Sequence, residues 1–359
     1  MPAVNSGDGP VVVTGASGYI GAHVVNQLLK HGYDVRGCVT DRSNSDKTDF
    51  LLELNDEHPG NLTLHQANLL KNGSYDTIIA DCSSVLHVGT PMPYGGAYTF
   101  QEVYDGIIQG INNIVGSIKK AGTVKRLVYT SSFAAVFHPA SPGYRFTEDD
   151  WGSDNREDNA DWNTENLNDK GDLGYTLGKI EGEHLINRLA EEDGRFDAVS
   201  CCPIAVVGPL LSVVHECVGS FQWAVGRALE GRNIPRGWQA LWNITDVRDV
   251  AEAQVLMMES KKPKNGSRYL LCAKDESGEI TAKQLQEHLQ ALFPHIKVGA
   301  PPPEYDVMIE KHGKPNDVPR ARCDKARNEL GLQTHTVEET LRDTGDTLVD
   351  LELIEPALK

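Results

Sequence analysis

Nowhere in the 359 residues does an uninterrupted apolar run reach the ~18 that a membrane span requires, so no spanning segment is expected. The first ten residues, Met1 to Pro10, lack both the basic start and apolar stretch of a secretory signal and the arginine-rich face of a transit peptide. A cytoplasmic location is the expectation. None of the seven cysteines (Cys38, Cys82, Cys201, Cys202, Cys217, Cys272 and Cys323) is spaced as C-x-x-C, and their number is odd. That argues against a disulfide framework or a zinc site and for reduced, mostly core thiols, with no metal expected. Positive charge is also short: 34 Lys and Arg face 51 Asp and Glu, a formal −17. Such a chain repels nucleic acid and anionic lipid, so neither is an expected partner. Internal repeats and low-complexity tracts are missing as well.

With 40% hydrophobic and 24% charged residues, the usage is that of a globular protein, and its length suits one large domain plus a smaller lobe. The β-branched run Pro10 to Thr14 ends in Gly15. Tyr19 to His31 then carries Ile20, Val24, Val25, Leu28 and Leu29 at helical spacing. Gly32 closes the helix, and Tyr33 to Thr40 reads as a second strand. Further strands are expected at Leu62–Leu69, Ser84–Val88 and Leu127–Thr130, separated by helices at Asp46–Leu54 and Phe100–Ala121. A helix Tyr175–Glu191 and a strand Phe196–Cys201 follow. This alternation predicts an α/β fold, a Rossmann doubly wound parallel sheet with a smaller mixed C-terminal substrate lobe. The expected division is a dinucleotide-binding domain over 1–202 and a mainly substrate-binding lobe over 203–359, some segments of which return to the first domain. An acidic excursion over 140–172, including Glu148-Asp149-Asp150-Trp151, reads equally as a substrate lid or a solvated loop.

Gly15-x-x-Gly18-x-x-Gly21 stands where strand meets helix. Glycines there permit a tight turn, close approach of backbone to a pyrophosphate and close helix packing, with the helix N-terminus facing the phosphates. The second strand ends in Val39-Thr40-Asp41-Arg42, which is ambiguous: Asp41 suits the ribose hydroxyls of NAD, while Thr40, Arg42 and Lys47 suit the 2′-phosphate of NADP. NADP is favoured, with NAD as the alternative.

Tyr175-x-x-x-Lys179 puts two side chains on one helix face. A free phenol titrates near ~10, and an adjacent ammonium together with a cationic nicotinamide would bring it down far enough to exchange a proton with a carbonyl oxygen. Thr130-Ser131-Ser132 ends an apolar strand at the carboxyl edge of the sheet, where Ser132 would hold the substrate oxygen and one of the two serines is expected to cap a turn.

Taken together, Thr14-Gly15-Ala16-Ser17-Gly18-Tyr19-Ile20-Gly21, Thr130-Ser131-Ser132, Tyr175-x-x-x-Lys179 and Asp246-Val247-Arg248-Asp249-Val250-Ala251 resemble the extended short-chain dehydrogenase/reductases. Within that family the sequence is most similar to the branch of dihydroflavonol reductase, cinnamoyl-CoA reductase and yeast methylglyoxal reductase. The resemblance implies Ser132, Tyr175 and Lys179 as a catalytic triad. It also implies Ser17 to Ile20 at the pyrophosphate, Lys47 near the 2′-phosphate and Asn68 and Leu69 by the adenine. Val88, Gly89 and Thr90 would line the cofactor, and Pro203, Ile204 and Val206 would flank the nicotinamide. Thr40 stands where the branch carries arginine, and Asn68 where aspartate is usual. Phe137 replaces the asparagine of the flavonoid reductases and reads as core or as pocket wall, with Pro91 and Tyr94 as further walls and Trp223 over the pocket. The expected activity is NADPH-dependent reduction of a small or aromatic aldehyde or ketone by a monomer or homodimer. The alternatives are an NAD-dependent alcohol dehydrogenase or epimerase, to which Arg248 and Arg320 could contribute, and a non-catalytic NADP-sensing protein.

Overall fold

The computed structural model describes residues 4–91, 99–138, 140, 144–152, 171–216, 220–234, 242–273, 279–280, 282–301 and 320–359. Its first strand, β1 (Val11–Thr14), has all four residues buried, as a strand covered on both faces requires. Helix α1 (Tyr19–Lys30) buries Val24, Val25, Leu28 and Leu29, and Gly32 just beyond it takes a φ of 76°, the left-handed value that stops a helix. The chain continues through β2 (Asp34–Val39), α2 (Asp49–Glu57), β3 (Asn61–Gln66), α3 (Asp76–Ile79) and β4 (Ser84–His87). Next come α4 (Phe100–Ala121), β5 (Arg126–Thr130), β6 (Arg145–Phe146), α5 (Gly171–Asp193) and β7 (Asp197–Pro203).

Helix α5 starts at Gly171, a turn before the expected Tyr175, and two other boundaries differ from the sequence expectation for local reasons. The helix expected from Asp46 starts at Asp49, after a separate turn of 3-10 helix at Ser45–Lys47 that leaves Thr48 at φ −127°. The strand expected to reach Leu69 ends at Gln66, because the Asn68 carboxamide accepts from the Leu70 amide at 2.8 Å and folds the chain into a turn.

After β7 follow β8 (Ala205–Val207), α6 (Phe221–Leu229), β9 (Trp242–Asp246), α7 (Val247–Glu259) and β10 (Ser267–Leu271). The seven-stranded sheet runs β10-β7-β5-β4-β1-β2-β3. The pairs β1–β2, β1–β4, β2–β3, β4–β5 and β5–β7 are all parallel. Strand order reverses at β1, between β2 and β4, which makes the carboxyl ends of β1 and β4 the ligand-binding crevice of such a sheet.

The chain forms two compact units. The first comprises Met1–Pro139, Glu148–Cys202 and Ala251–Tyr269; the second comprises Ala140–Thr147, Pro203–Val250 and Leu270–Lys359. In the first, α4 and α5 bury Ile107, Ile111, Ile114 and Ile186 with Leu127 and Tyr129 of the sheet. The second has its own core of Val225, Leu229, Leu285, Leu289, Leu341 and Leu348. No described helix is long and apolar enough to cross a membrane.

Candidate active site

The glycine turn brings β1 against the end of β4. Gly15 has a φ of +66°, and a Cβ on it would lie 2.8 Å from the Gly89 Cα; a Cβ on Gly21 would meet the Gly15 carbonyl oxygen at 2.0 Å. Side chains are therefore excluded at both positions. The Gly89 amide donates to the Thr14 carbonyl at 3.1 Å and to its hydroxyl at 3.0 Å, fixing Gly89 beside the turn. Helix α1 starts from Gly18 with no side-chain cap and no acidic residue in its first turn. A backbone cradle at a positive helix end fits the pyrophosphate of a dinucleotide. Ser17, Tyr19 and Ile20 belong to this turn, Val88 and Thr90 flank Gly89, and Leu69 reaches to 3.3 Å of where a Gly89 Cβ would stand.

At the end of β2, Thr40 is exposed and the Asp41 carboxylate accepts from the Ser43 amide at 2.9 Å and hydroxyl at 2.7 Å, bonds that hold it below the usual carboxylate range. Arg42 and Ser43 line a cavity of about 550 Å³ with His65, Gln66, Ser74 and Thr77. Burial first, and then the guanidiniums of Arg36 and Arg42, lowers the His65 pKa. Lys47 sits half-buried in the 3-10 turn and is not among the cavity's lining residues.

Helix α5 carries the Tyr-Lys pair. Cβ atoms on Gly174, Gly178 and Gly182 would fall 2.3 Å from the Phe100 oxygen, 2.7 Å from Ile107 and 2.8 Å from Ile111, so this stripe of glycines lets α5 lie directly on α4. Lys179 is 1% exposed; its ammonium donates to the Thr130 carbonyl at 2.8 Å and the Thr90 hydroxyl at 3.0 Å. It stands 5.5 Å from the Tyr175 ring centre and 4.9 Å from that of Tyr129. Burial lowers Lys179 to about 8, against the opposing pull of Cys201, Glu183 and Cys202. Ser132 begins the 3-10 turn Phe133–Ala135, and its hydroxyl accepts from the Ala134 amide at 3.1 Å, the capping role anticipated for one of the serines. The same hydroxyl is hydrogen-bonded to the Tyr175 phenol. The expected lowering of that phenol does not arise from the protein's own groups: burial raises it, and only the Ser132 bond opposes.

Other expectations meet mixed outcomes. Phe137 is 53% exposed, which overturns the reading of it as plain core; its ring centre lies 6.0 Å from that of Phe133. Pro91 packs on α4, 3.4 Å from where a Gly106 Cβ would stand. Tyr94, most of the acidic excursion and the Arg320 side chain lie outside the described residues. In the second unit, Pro203 ends β7, the Ile204 amide donates to the Leu271 carbonyl at 3.3 Å, and Val206 is in β8. Arg227 covers the Trp223 ring at 5.0 Å. Arg248 is engaged by Asp246 at 2.8 Å and Asp343 at 2.6 Å. Among the described residues, Asp246, Asp249 and His335 bring ligand-type atoms within 4.8 Å of one another, but their carboxylates already accept from Arg248, Thr340 and His335.

Sequence reasoning missed three buried residues here. His87 shares a 2.8 Å hydrogen bond with the Thr14 hydroxyl; Glu183 and Arg268 pair at 2.8 Å. For Glu183 a signal existed, the i, i+4, i+8 series Tyr175, Lys179, Glu183.

Residues 11–272 match the NAD dependent epimerase/dehydratase family. A dihydroflavonol 4-reductase of Hordeum vulgare is 31% identical over 307 residues, covering 83% of this chain and 77% of its own length. The cinnamoyl-CoA reductase CAD2 of Medicago truncatula is 32% identical over 342 residues, 94% of this chain and 95% of its own. The structure of Gre2 from Candida albicans in complex with NADPH superimposes with a TM-score of 0.77 at 23% identity, over 95% of this chain and 99% of that one. Yeast methylglyoxal/isovaleraldehyde reductase Gre2, also complexed with NADPH, gives 0.76 at 24% identity, over 96% and 99%. At those identities the two structures share the fold.

Proposed function

Because the chain belongs to the NAD-dependent epimerase/dehydratase family, the extended short-chain dehydrogenase/reductases, we propose that it is an NADPH-dependent reductase of small or aromatic aldehydes and ketones. What carries the reading is the meeting of Ser132, Tyr175 and Lys179 at the carboxyl edge of β5, in the same compact unit as the glycine cradle. Residues 203–359 mainly supply the substrate-binding lobe in this reading.

A dinucleotide held by the cradle would supply the hydride for the carbonyl carbon. Gly15 to Gly21 would hold its pyrophosphate through backbone amides and the α1 N-terminus. Thr40, Arg42 and Lys47 would take the 2′-phosphate, Asn68 and Leu69 would serve the adenine, and Val88 to Thr90, Thr130, Pro203, Ile204 and Val206 would serve the rest. Ser43 occupies only Oδ1 of Asp41, so the preference for NADP in this reading rests on Arg42 at the cavity beside β2. Ser132 orients the substrate oxygen, and the raised phenol of Tyr175 keeps its proton until that oxygen gains charge. The Lys179 ammonium then stabilises the phenolate left behind.

The test is titration with NADPH and NADH by fluorescence quenching, then oxidation of the tighter binder against a panel of aldehydes and ketones. Tighter binding of NADPH with turnover on a carbonyl is expected. A preference for NADH, or binding without any turnover, would overturn the proposal.

A further inference from the structure

We infer that Glu183 and Arg268 form a buried clamp that positions Ser132 and Lys179 for proton transfer, an inference that rests on the reductase reading of this site. Tyr175, Lys179 and Glu183 follow one another at single-turn intervals on α5. Glu183 is fully buried and Arg268 is 4% exposed. The Glu183 carboxylate accepts from the Ser131 hydroxyl at 2.5 Å and from Arg268 Nε at 2.8 Å.

Every guanidinium N–H of Arg268 has an acceptor. Besides the Nε bond, Nη1 donates to the Glu148 and Asp150 carbonyls at 3.0 and 2.5 Å, and Nη2 to the Ala135 carbonyl at 3.1 Å and to Glu183 at 3.3 Å. Trp151 is stacked between the guanidinium, 3.7 Å from its ring centre, and the His184 ring at 4.1 Å.

The consequence falls on Ser132. The short segment that carries it is held ahead by the Ser131 hydroxyl on Glu183 and behind by the Ala135 carbonyl on Arg268, while Lys179 pins the Thr130 carbonyl just before it. One helix face thus fixes the serine segment and the lysine together, and Arg268 extends the hold to Glu148–Trp151. Stability alone does not call for a buried ion pair, because apolar residues of similar volume commonly serve as well or better. Its place beneath the serine segment is what the positioning role explains.

Glu183 also acts on Lys179 through its charge. The ammonium faces Tyr175 and Glu183 on α5, Tyr129 on β5, Cys201 and Cys202 on β7 and His87 on β4. Among these groups Glu183 is the carboxylate, and it favours the protonated lysine against burial.

Two variants test the inference. Glu183→Gln removes the charge; Ser131→Ala removes only the hydroxyl link and leaves the ion pair intact. In Glu183→Gln, NMR titration of lysine-labelled protein without cofactor should show Lys179 losing its proton at lower pH than in the wild type, with the matching limb of the kcat profile moving the same way. In Ser131→Ala, kcat should fall about tenfold or more through misplacement of Ser132, while KM and NADPH affinity stay within about twofold. An unmoved Lys179 titration in folded Glu183→Gln, or wild-type kcat in Ser131→Ala, overturns the clamp. If Glu183→Gln does not fold, Ser131→Ala decides. A wild-type chain that reduces no carbonyl sinks the reductase reading instead, and the Lys179 titration still judges the clamp because it needs no substrate.

Discussion

At the scale of single residues, the site contains two groups displaced in opposite directions by the same cause. Burial raises the Tyr175 phenol and takes Lys179 down to about 8, since each neutral form is cheaper to bury than its ion. A phenol raised by burial is a poor resting base and, by the same shift, a weaker acid, so proton donation from it would depend on the Lys179 ammonium close by. Tyr175→Phe keeps the ring and its packing and removes the proton; turnover should drop by about 10²-fold or more with NADPH affinity unchanged. A steady-state assay beside a binding titration checks this, and residual activity near the wild-type level would remove Tyr175 from the chemistry.

Among the elements, α5 matters most, because its position on α4 sets where Tyr175 and Lys179 stand. The three glycines facing α4 are not equivalent. At Gly174 an added methyl would press on the Phe100 backbone oxygen, which cannot yield without moving α4; at Gly178 it would press on the tip of Ile107, which can turn aside. Gly174→Ala should therefore destabilise the protein by about 1–3 kcal/mol, and Gly178→Ala by clearly less. Denaturant melts of the two variants compare them directly; equal losses would mean the helix pair is looser than its contacts imply. The helix itself was legible in the Tyr-Lys spacing and in Phe100–Ala121, whose bounds the structure reproduces. The 3-10 turn at Ser45–Lys47 was not, since the Thr48 backbone that separates it from α2 leaves no mark in apolar periodicity.

For the molecule as a whole, pH is the variable that reaches furthest. Its isoelectric point lies near 5.1, so acidification removes the −17 repulsion. Acidification also loads His87, which is fully buried and whose pKa is lowered to about 3 by burial and then by Lys179. Unfolded, that histidine takes a proton near ~6.5, so between there and about 3 the unfolded state binds more protons and stability falls with pH. The loss attributable to His87 approaches about 1 kcal/mol per pH unit in that window. Denaturant unfolding at pH 7 and pH 5 should show His87→Gln losing less than the wild type; equal losses would mean that His87 titrates normally. The sequence by itself determined the α/β class, the glycine turn and the serine and tyrosine-lysine motifs, because these are written in spacings of a few residues that hydrogen bonding and helical periodicity read locally. Only the tertiary structure decided that Asp41 is taken up by Ser43, that Phe137 faces solvent, and that Arg268 meets Glu183 beneath Ser131. Those outcomes depend on burial and on partners far apart along the chain, which exist only once the sheet has assembled.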